Sequence, residues 1–382
     1  MTAAAGLRHR AHPAMMALTL MFVTVASGTA QAGGQRVALA ASLTSNYDSN
    51  ILEYASDAIA LFESGTRPDH FALESTDDLV WNPGLALTWE LTGERGRRHA
   101  LRLSGNGNFH HRNGTADFRS AGIAWRESWS RGRRLSASWY RLPNFYLRQL
   151  VDEDFVPPYP GLSRYRRASF GLDIAALDWT QRVGRGNTLR LGAQFEARRY
   201  NVDFRERDSN TGQGELAWGW SRLPHHSQLE LRTLYRSSQA KAKDGDEIAG
   251  AAPDDPDIRY NGLAAGTHGE VELSRRGSWR LGVDADYQFS NRAFGSDRPA
   301  DKFHFGRHDG LHALELGIEI RRIRMWRGRA FWHFERNTAD LGVPVTGISV
   351  DTGDYSRSQV GIRLDWSGTL WHSKAPAAEG DE

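Results

Sequence analysis

Along residues 79–91 the chain alternates without a slip. Leu79, Trp81, Pro83, Leu85, Leu87, Trp89 and Leu91 take one parity; Val80, Asn82, Gly84, Ala86, Thr88 and Glu90 take the other. Side chains of a strand point to opposite faces in turn, so this segment predicts a strand with one continuous apolar stripe and one polar or small stripe. A strand of a soluble sandwich shows the same alternation. What separates the two readings is recurrence: bulky aromatics return on the apolar parity in strand after strand.

Thirteen further segments carry the pattern. The apolar parity is Val37 to Leu43 in the first; Leu101, Leu103 and Phe109 in the third; Ala121, Ile123, Trp125 and Trp129 in the fourth; and Leu135, Ala137 and Trp139 in the fifth. The sixth shows Phe170, Leu172, Ile174 and Ala176, after which Leu177 and Trp179 change parity and predict a bulge. Then come Leu189 to Ala197, Leu216 to Trp220, Leu229 to Tyr235, Leu263 to Leu273, Trp279 to Phe289, Leu314 to Ile320, Ala330 to Phe334, and Val360 to Trp366. Connections after even-numbered segments are brief and those after odd-numbered segments long, in phase with the strand count, except at the third hairpin end near Arg112 to Ala116. Pro83 removes a ladder hydrogen bond, so a bulge is expected there too.

The first residues complete the picture. Arg8 and Arg10 precede an apolar stretch from Ala14 to Ala26, then small residues at Ala30 and Ala32; this is an export signal with cleavage after Ala32. No Cys follows, which excludes a lipoprotein anchor, and the absence of cysteine throughout excludes disulfides and thiolate chemistry. Beyond the signal no apolar run is long enough for a helical membrane span, and the mean hydropathy of −0.57 is that of a chain half of whose strand residues face water. The fold expected is all-β: a transmembrane antiparallel barrel of about 14 strands with both termini periplasmic. Residues 1–32 form the signal peptide, 33–371 the barrel and 372–382 a disordered periplasmic tail.

Residues 359–366 read Gln-Val-Gly-Ile-Arg-Leu-Asp-Trp. Gln359, Gly361, Leu364 and Trp366 resemble the terminal-strand signal by which bacterial outer-membrane β-barrels are recognised for insertion, although this chain continues to Glu382. The resemblance is to porin-like outer-membrane barrels. It implies location in the outer membrane of a Gram-negative bacterium, and as partners the barrel-assembly machinery, outer-membrane lipid and lipopolysaccharide. Tyr47-Asp48-Ser49-Asn50-Ile51 is similar to a feature of several such barrel families, some associated with exopolysaccharide or surface-protein export; the plainer reading is a strand end with an Asp/Asn turn.

Charge adds little about partners. Removing Arg8 and Arg10 with the signal leaves basic and acidic residues equal in number, and no nucleic-acid motif is present. No nucleophile elbow, phosphate-binding glycine loop or paired-histidine metal helix occurs, so the sequence supplies no catalytic residue, metal site or cofactor; an outer-membrane enzyme ranks third among the readings. The adjacent pairs His110-His111 and His225-His226 are unsuited to joint chelation. The acidic clusters Asp152-Glu153-Asp154, Asp244 to Glu247 and Asp254 to Asp257 lack EF-hand spacing and read as solvated loops before Ca²⁺ sites.

The inward parity is where candidate function lies. In the first half it holds Arg102, His110, Arg126, Arg167, Asp173, Arg190, Glu196 and Arg198. The second half adds Glu215, Glu230, Arg232, Glu270, Glu272, Arg280, Asp284, Asp286, Glu315, Glu319, Arg321, Arg363 and Asp365. Two consequences stand open. Either one wall is positive and the other negative, a field that admits small polar solutes through a narrow passive channel, or the charges pair and plug the lumen of a structural or assembly barrel. A monomer is expected.

Overall fold

The computed structural model describes residues 34–66, 68–93, 96–129, 132–151, 164–224, 227–240, 257–297, 299, 301, 303–322, 325–342 and 353–373. The expected signal segment, the tail from residue 374, His225-His226 and the acidic clusters before Asp257 lie outside them. Fourteen strands follow the order read from the sequence: β1 (Gln35–Asp48), β2 (Asp78–Thr92), β3 (Arg98–His110), β4 (Phe118–Trp129), β5 (Arg133–Val151), β6 (Tyr165–Val183), β7 (Asn187–Tyr200), β8 (Ser209–Leu223), β9 (Ser227–Ala240), β10 (Tyr260–Arg276), β11 (Trp279–Phe294), β12 (His308–Arg322), β13 (Trp326–Asp340) and β14 (Tyr355–Ser373). Each pairs antiparallel with its neighbours, and β14 pairs with β1, so the sheet closes. Closure removes every edge. That is the condition for a sheet to cross a bilayer, where an unpaired backbone group has no water to bond.

The outer face is apolar along its middle. Leu85 keeps 57 % of its surface, Ile318 56 % and Ile362 57 %, while Val80 and Ala86 on the opposite parity of β2 are buried. Large exposed apolar side chains ringing a closed sheet are stable only against hydrocarbon, and the architecture is that of an outer-membrane barrel. Trp81 and Trp89 on β2 and Trp279 on β11 stand on this face. At the outer edge of the stripe on β5 and β6, Arg141 and Asp173 pair across the ladder at 3.6 Å. The short connections and both described ends of the chain share one rim; the long connections share the other.

Three expectations change. Pro83 causes no bulge: β1 runs through in register with Leu43 opposite Pro83, and the β3 ladder lapses between Trp81–Phe109 and Gly84–Asn106 without a shift. The proline's missing donor thus costs a local gap bridged by an Asn108-to-Asn82 side-chain hydrogen bond of 2.7 Å. In β6 the bulge is absent and the parity of the first half is reversed. The register with β7 is continuous from Phe170–Tyr200 to Val183–Asn187, which places Asp173, Ala175, Leu177 and Trp179 outward and Phe170, Leu172, Ile174 and Ala176 inward. The shifts fall in β5 instead, between Leu142 and Phe145 and between Tyr146 and Arg148. Arg167 shares the parity of Asp173, and its guanidinium lies over the Tyr146 ring at the long-loop rim. Finally, β14 runs to Ser373, past the expected boundary at 371, with a shift opposite Val37/Ala38 that accommodates the extra length.

Candidate functional site: a capped, charge-lined lumen

The long-loop mouth is covered by the first connection. At the end of β1 the Asp48 carboxylate is 2 % exposed. It accepts hydrogen bonds from the Asn50 backbone N–H (3.0 Å), the Arg357 Nε (3.0 Å) and the Gln359 amide (2.6 Å). Asn50, also buried, donates to the Tyr54 and Ser356 carbonyls and accepts from the Tyr54 N–H. The Asx geometry at Asp48 and Asn50 turns the chain off the barrel wall and across the opening. Gln359, expected as part of an insertion signal, therefore also locks the closing seam. Gly361 packs beside Asn46 and Phe331, while Leu364 and Trp366 face outward.

Beyond the turn, Ile51, Leu52, Tyr54, Phe71 and Ala58 of helix α1 (Ser56–Ser64) form a small apolar core with Tyr146 of β5 and Ala116 of the β3–β4 connection. Arg148 reaches this core from β5, donating to the Leu52 carbonyl at 2.9 Å with its guanidinium 5.0 Å from the Tyr54 ring centre. Arg357 on β14 bonds Glu53 at 3.0 Å. Two separated parts of the wall thus grip one loop. Glu53 is also the one non-glycine residue of positive φ (55°) among the described residues, a left-handed backbone that costs energy unless its surroundings fix it. Burial pushes its carboxyl above the usual glutamate range, against the pull of Arg357 and Arg148.

Below the cap, the charges of β7–β14 are joined pairwise. Arg190 holds Glu215 (2.6 Å) and Glu230 (2.9 Å); Arg198 holds Glu196 (2.6 Å); Arg232 holds Asp286 (2.7 Å). Arg280 lies 3.6 Å from Glu272, and Arg321 3.8 Å from Glu270. Glu319 is gripped by both Arg321 and Arg327. Arg329 engages Asp284 and, at 2.6 Å, Glu315, to which His333 adds a 3.5 Å contact. Gly317 makes room for that pair: a Cβ there would stand 2.6 Å from an Asp284 oxygen and 2.5 Å from Arg329 Nε. Pairing within a strand or between strands no more than two apart, not a field between opposite walls, describes this part of the lumen. A cavity of about 350 Å³ is lined by these groups.

The wall of β1–β4 differs. Arg102 and Arg126 point inward, as their parity predicts, and neither has an ion-pair partner among the described residues. A second cavity of about 410 Å³ opens beside Arg102, lined also by Ser42, Gly84, Ser104 and Asn106 and meeting the first at Arg327 and Arg363. Arg363 is held by Asp365 at 2.9 Å. Of the twenty-one inward candidates, nineteen lie on the lumen parity; Arg167 and Asp173, on the reversed half of β6, face outward. Sequence reasoning passed over Arg327 and Arg329, although the outward set of their own strand, Ala330, Trp332 and Phe334, fixes them as inward. It also passed over Glu53, Arg148 and Arg357, whose roles depend on a loop path that alternation does not reveal.

No family model matches the chain, and no curated protein matches it. Among solved structures it is similar to a bacterial polysaccharide outer membrane secretin (TM-score 0.43, 10 % identity, 87 % of this chain and 98 % of that one). It is also similar to an anion-selective porin from Comamonas acidovorans (0.38, 9 %, 88 % and 99 %) and to outer-membrane expressed OmpT of Vibrio cholerae (0.39, 8 %, 89 % and 100 %). At these values the likeness adds nothing to the conclusion already reached from the closed sheet and its two faces: the chain is an outer-membrane β-barrel.

Proposed function

We propose that the barrel is a narrow passive channel for small polar solutes, with its short-turn rim in the periplasm and its long loops outside. The observation that carries this reading is the pair of adjoining cavities inside the barrel, of about 410 and 350 Å³, both lined by charged and polar side chains and meeting at Arg327 and Arg363. A dry structural barrel has no use for so many desolvated charges, each of which is costly unless it faces water or a partner. The first connection then acts as the constriction that limits size at the mouth. Planar-bilayer recording of the folded protein tests the proposal: stepwise conductance is expected, rising several-fold when residues 55–73 are replaced by a short Gly-Ser linker. Silence from both proteins sinks the channel reading.

The cap itself favours a second reading, a closed barrel that serves assembly or export. Under it the wild-type protein is silent and only the linker variant conducts.

A further inference from the structure

We infer that the β1–β4 wall carries an oxyanion-binding subsite centred on Arg102. Three adjacent strands build it. Ser42 on β1 and Asn106 on β3 are the ladder partners of Gly84 on β2, and both side chains lean into the space above that glycine. A Cβ on Gly84 would stand 2.5 Å from Ser42 Oγ and 2.6 Å from Asn106 Oδ1, so the hollow exists only because residue 84 has no side chain. Ser104 sits on the same inward face one step along β3, and Arg102 the next step. All of them line the cavity of about 410 Å³.

Apart from Ser104, whose hydroxyl donates to the Gly122 carbonyl at 3.4 Å, their hydrogen-bonding capacity is uncommitted. Ser42, Asn106 and Arg102 have no side-chain partner among the described residues, whereas the inward arginines Arg190, Arg232, Arg321, Arg327, Arg329 and Arg363 each grip a carboxylate. The acidic group on the cavity wall is Asp365, and it is held by Arg363. A guanidinium with free N–H donors and a hydroxyl on one cavity wall are the donor set of an oxyanion: the guanidinium fork matches two oxygens and the Ser42 hydroxyl supplies a donor at the flank, while the Asn106 amide, whose Oδ1 faces Gly84, adds its N–H₂ by a flip about its terminal bond. The ligand is the carboxylate, phosphate or sulfate end of a small solute, and for its route of access the subsite rests on the channel reading.

Isothermal titration of the full barrel in detergent micelles, at fixed ionic strength, tests this without transport. Sodium phosphate and sodium acetate serve as separate arms, distinguishing tetrahedral from planar anions. Saturable binding in at least one arm is expected, weakened about tenfold by Arg102→Gln, as loss of a charge-assisted pair implies. Gly84→Ala, which fills the hollow and leaves the charge, weakens it comparably; Asn106→Ala replaces that variant if its fold, judged by circular dichroism, is lost. Arg126→Gln, an unpaired inward arginine outside the cavity lining, leaves binding unchanged. Heat that never saturates, or equal loss with Arg126→Gln and Arg102→Gln, overturns the subsite in favour of a diffuse field. Saturable binding by a protein silent in bilayers keeps the subsite and removes the channel; conductance without saturable binding does the reverse.

Discussion

Two walls of one lumen use the same residues in opposite ways. From β7 to β14 arginines and carboxylates of the same or nearby strands neutralise each other, and Gly317 on β12 leaves the room in which Arg329 of β13 and Asp284 of β11 meet. From β1 to β4 charge is sparse, yet Arg102 and Arg126 stand unpaired, and a glycine opens space beside a hydroxyl and an amide with nothing to bond. The difference teaches that a count of lumen charges measures neither field nor selectivity. Paired groups rigidify the wall at the cost of desolvation, while the few unpaired ones act on whatever passes.

The sharpest way to break this comparison is by stability. Asp284→Ala leaves the Arg329 guanidinium, 14 % exposed, with one partner fewer, and is expected to cost about 3 kcal/mol, whereas Arg102→Ala is expected to cost under about 0.5 kcal/mol. Urea unfolding of the barrel in lipid vesicles measures both; similar losses would erase the distinction between the walls. Ion selectivity is the next test. Arg102→Glu should shift the reversal potential in a salt gradient toward cations by about threefold in permeability ratio, since an unpaired charge acts directly on passing ions. Exchanging the paired residues, as Arg363→Asp with Asp365→Arg, should leave it within error.

The smallest effect belongs to the cap. Docking raises the Glu53 pKa chiefly by burial, so the docked loop holds a proton more tightly than the open one. Docking is therefore favoured fully below the ordinary glutamate pKa, and that contribution is lost as pH rises through the raised value. Conductance should climb modestly across that interval and become flat in Glu53→Gln. Arg357 and Arg148 face the carboxyl with Glu335 nearby, and a pH response that persists unchanged in the variant would remove Glu53 from this role.

Alternation made the strands and their faces legible because lipid demands an unbroken apolar stripe outside. It failed in β6, where Phe170, Leu172 and Ile174 make the inner face apolar as well. Phe170 packs between Phe145 and Tyr200 at 5.2 Å from each, beneath Arg198, so hydrophobicity there reports packing within the lumen, not contact with lipid. Arg102 was readable from parity alone. Its partners in the hollow were not: Ser42, Gly84 and Asn106 are unremarkable in sequence and become a site only through the register of three strands. The loop cap was invisible for the related reason that Asn50 and Arg357 are far apart along the chain.

The seam at Asp48 bears on how the molecule is completed. Its carboxylate belongs to the first strand, while Arg357 and Gln359 belong to the last, so neither half of the network can form until the whole chain has been delivered. Ring closure of such separation comes late and is entropically slow. A slip of two residues there keeps every apolar side chain outside and most ladder bonds intact, but strands a buried anion away from Arg357 and Gln359. The polar knot thus works as a register check on the final joining step, rejecting a misaligned cylinder that its greasy exterior alone would accept.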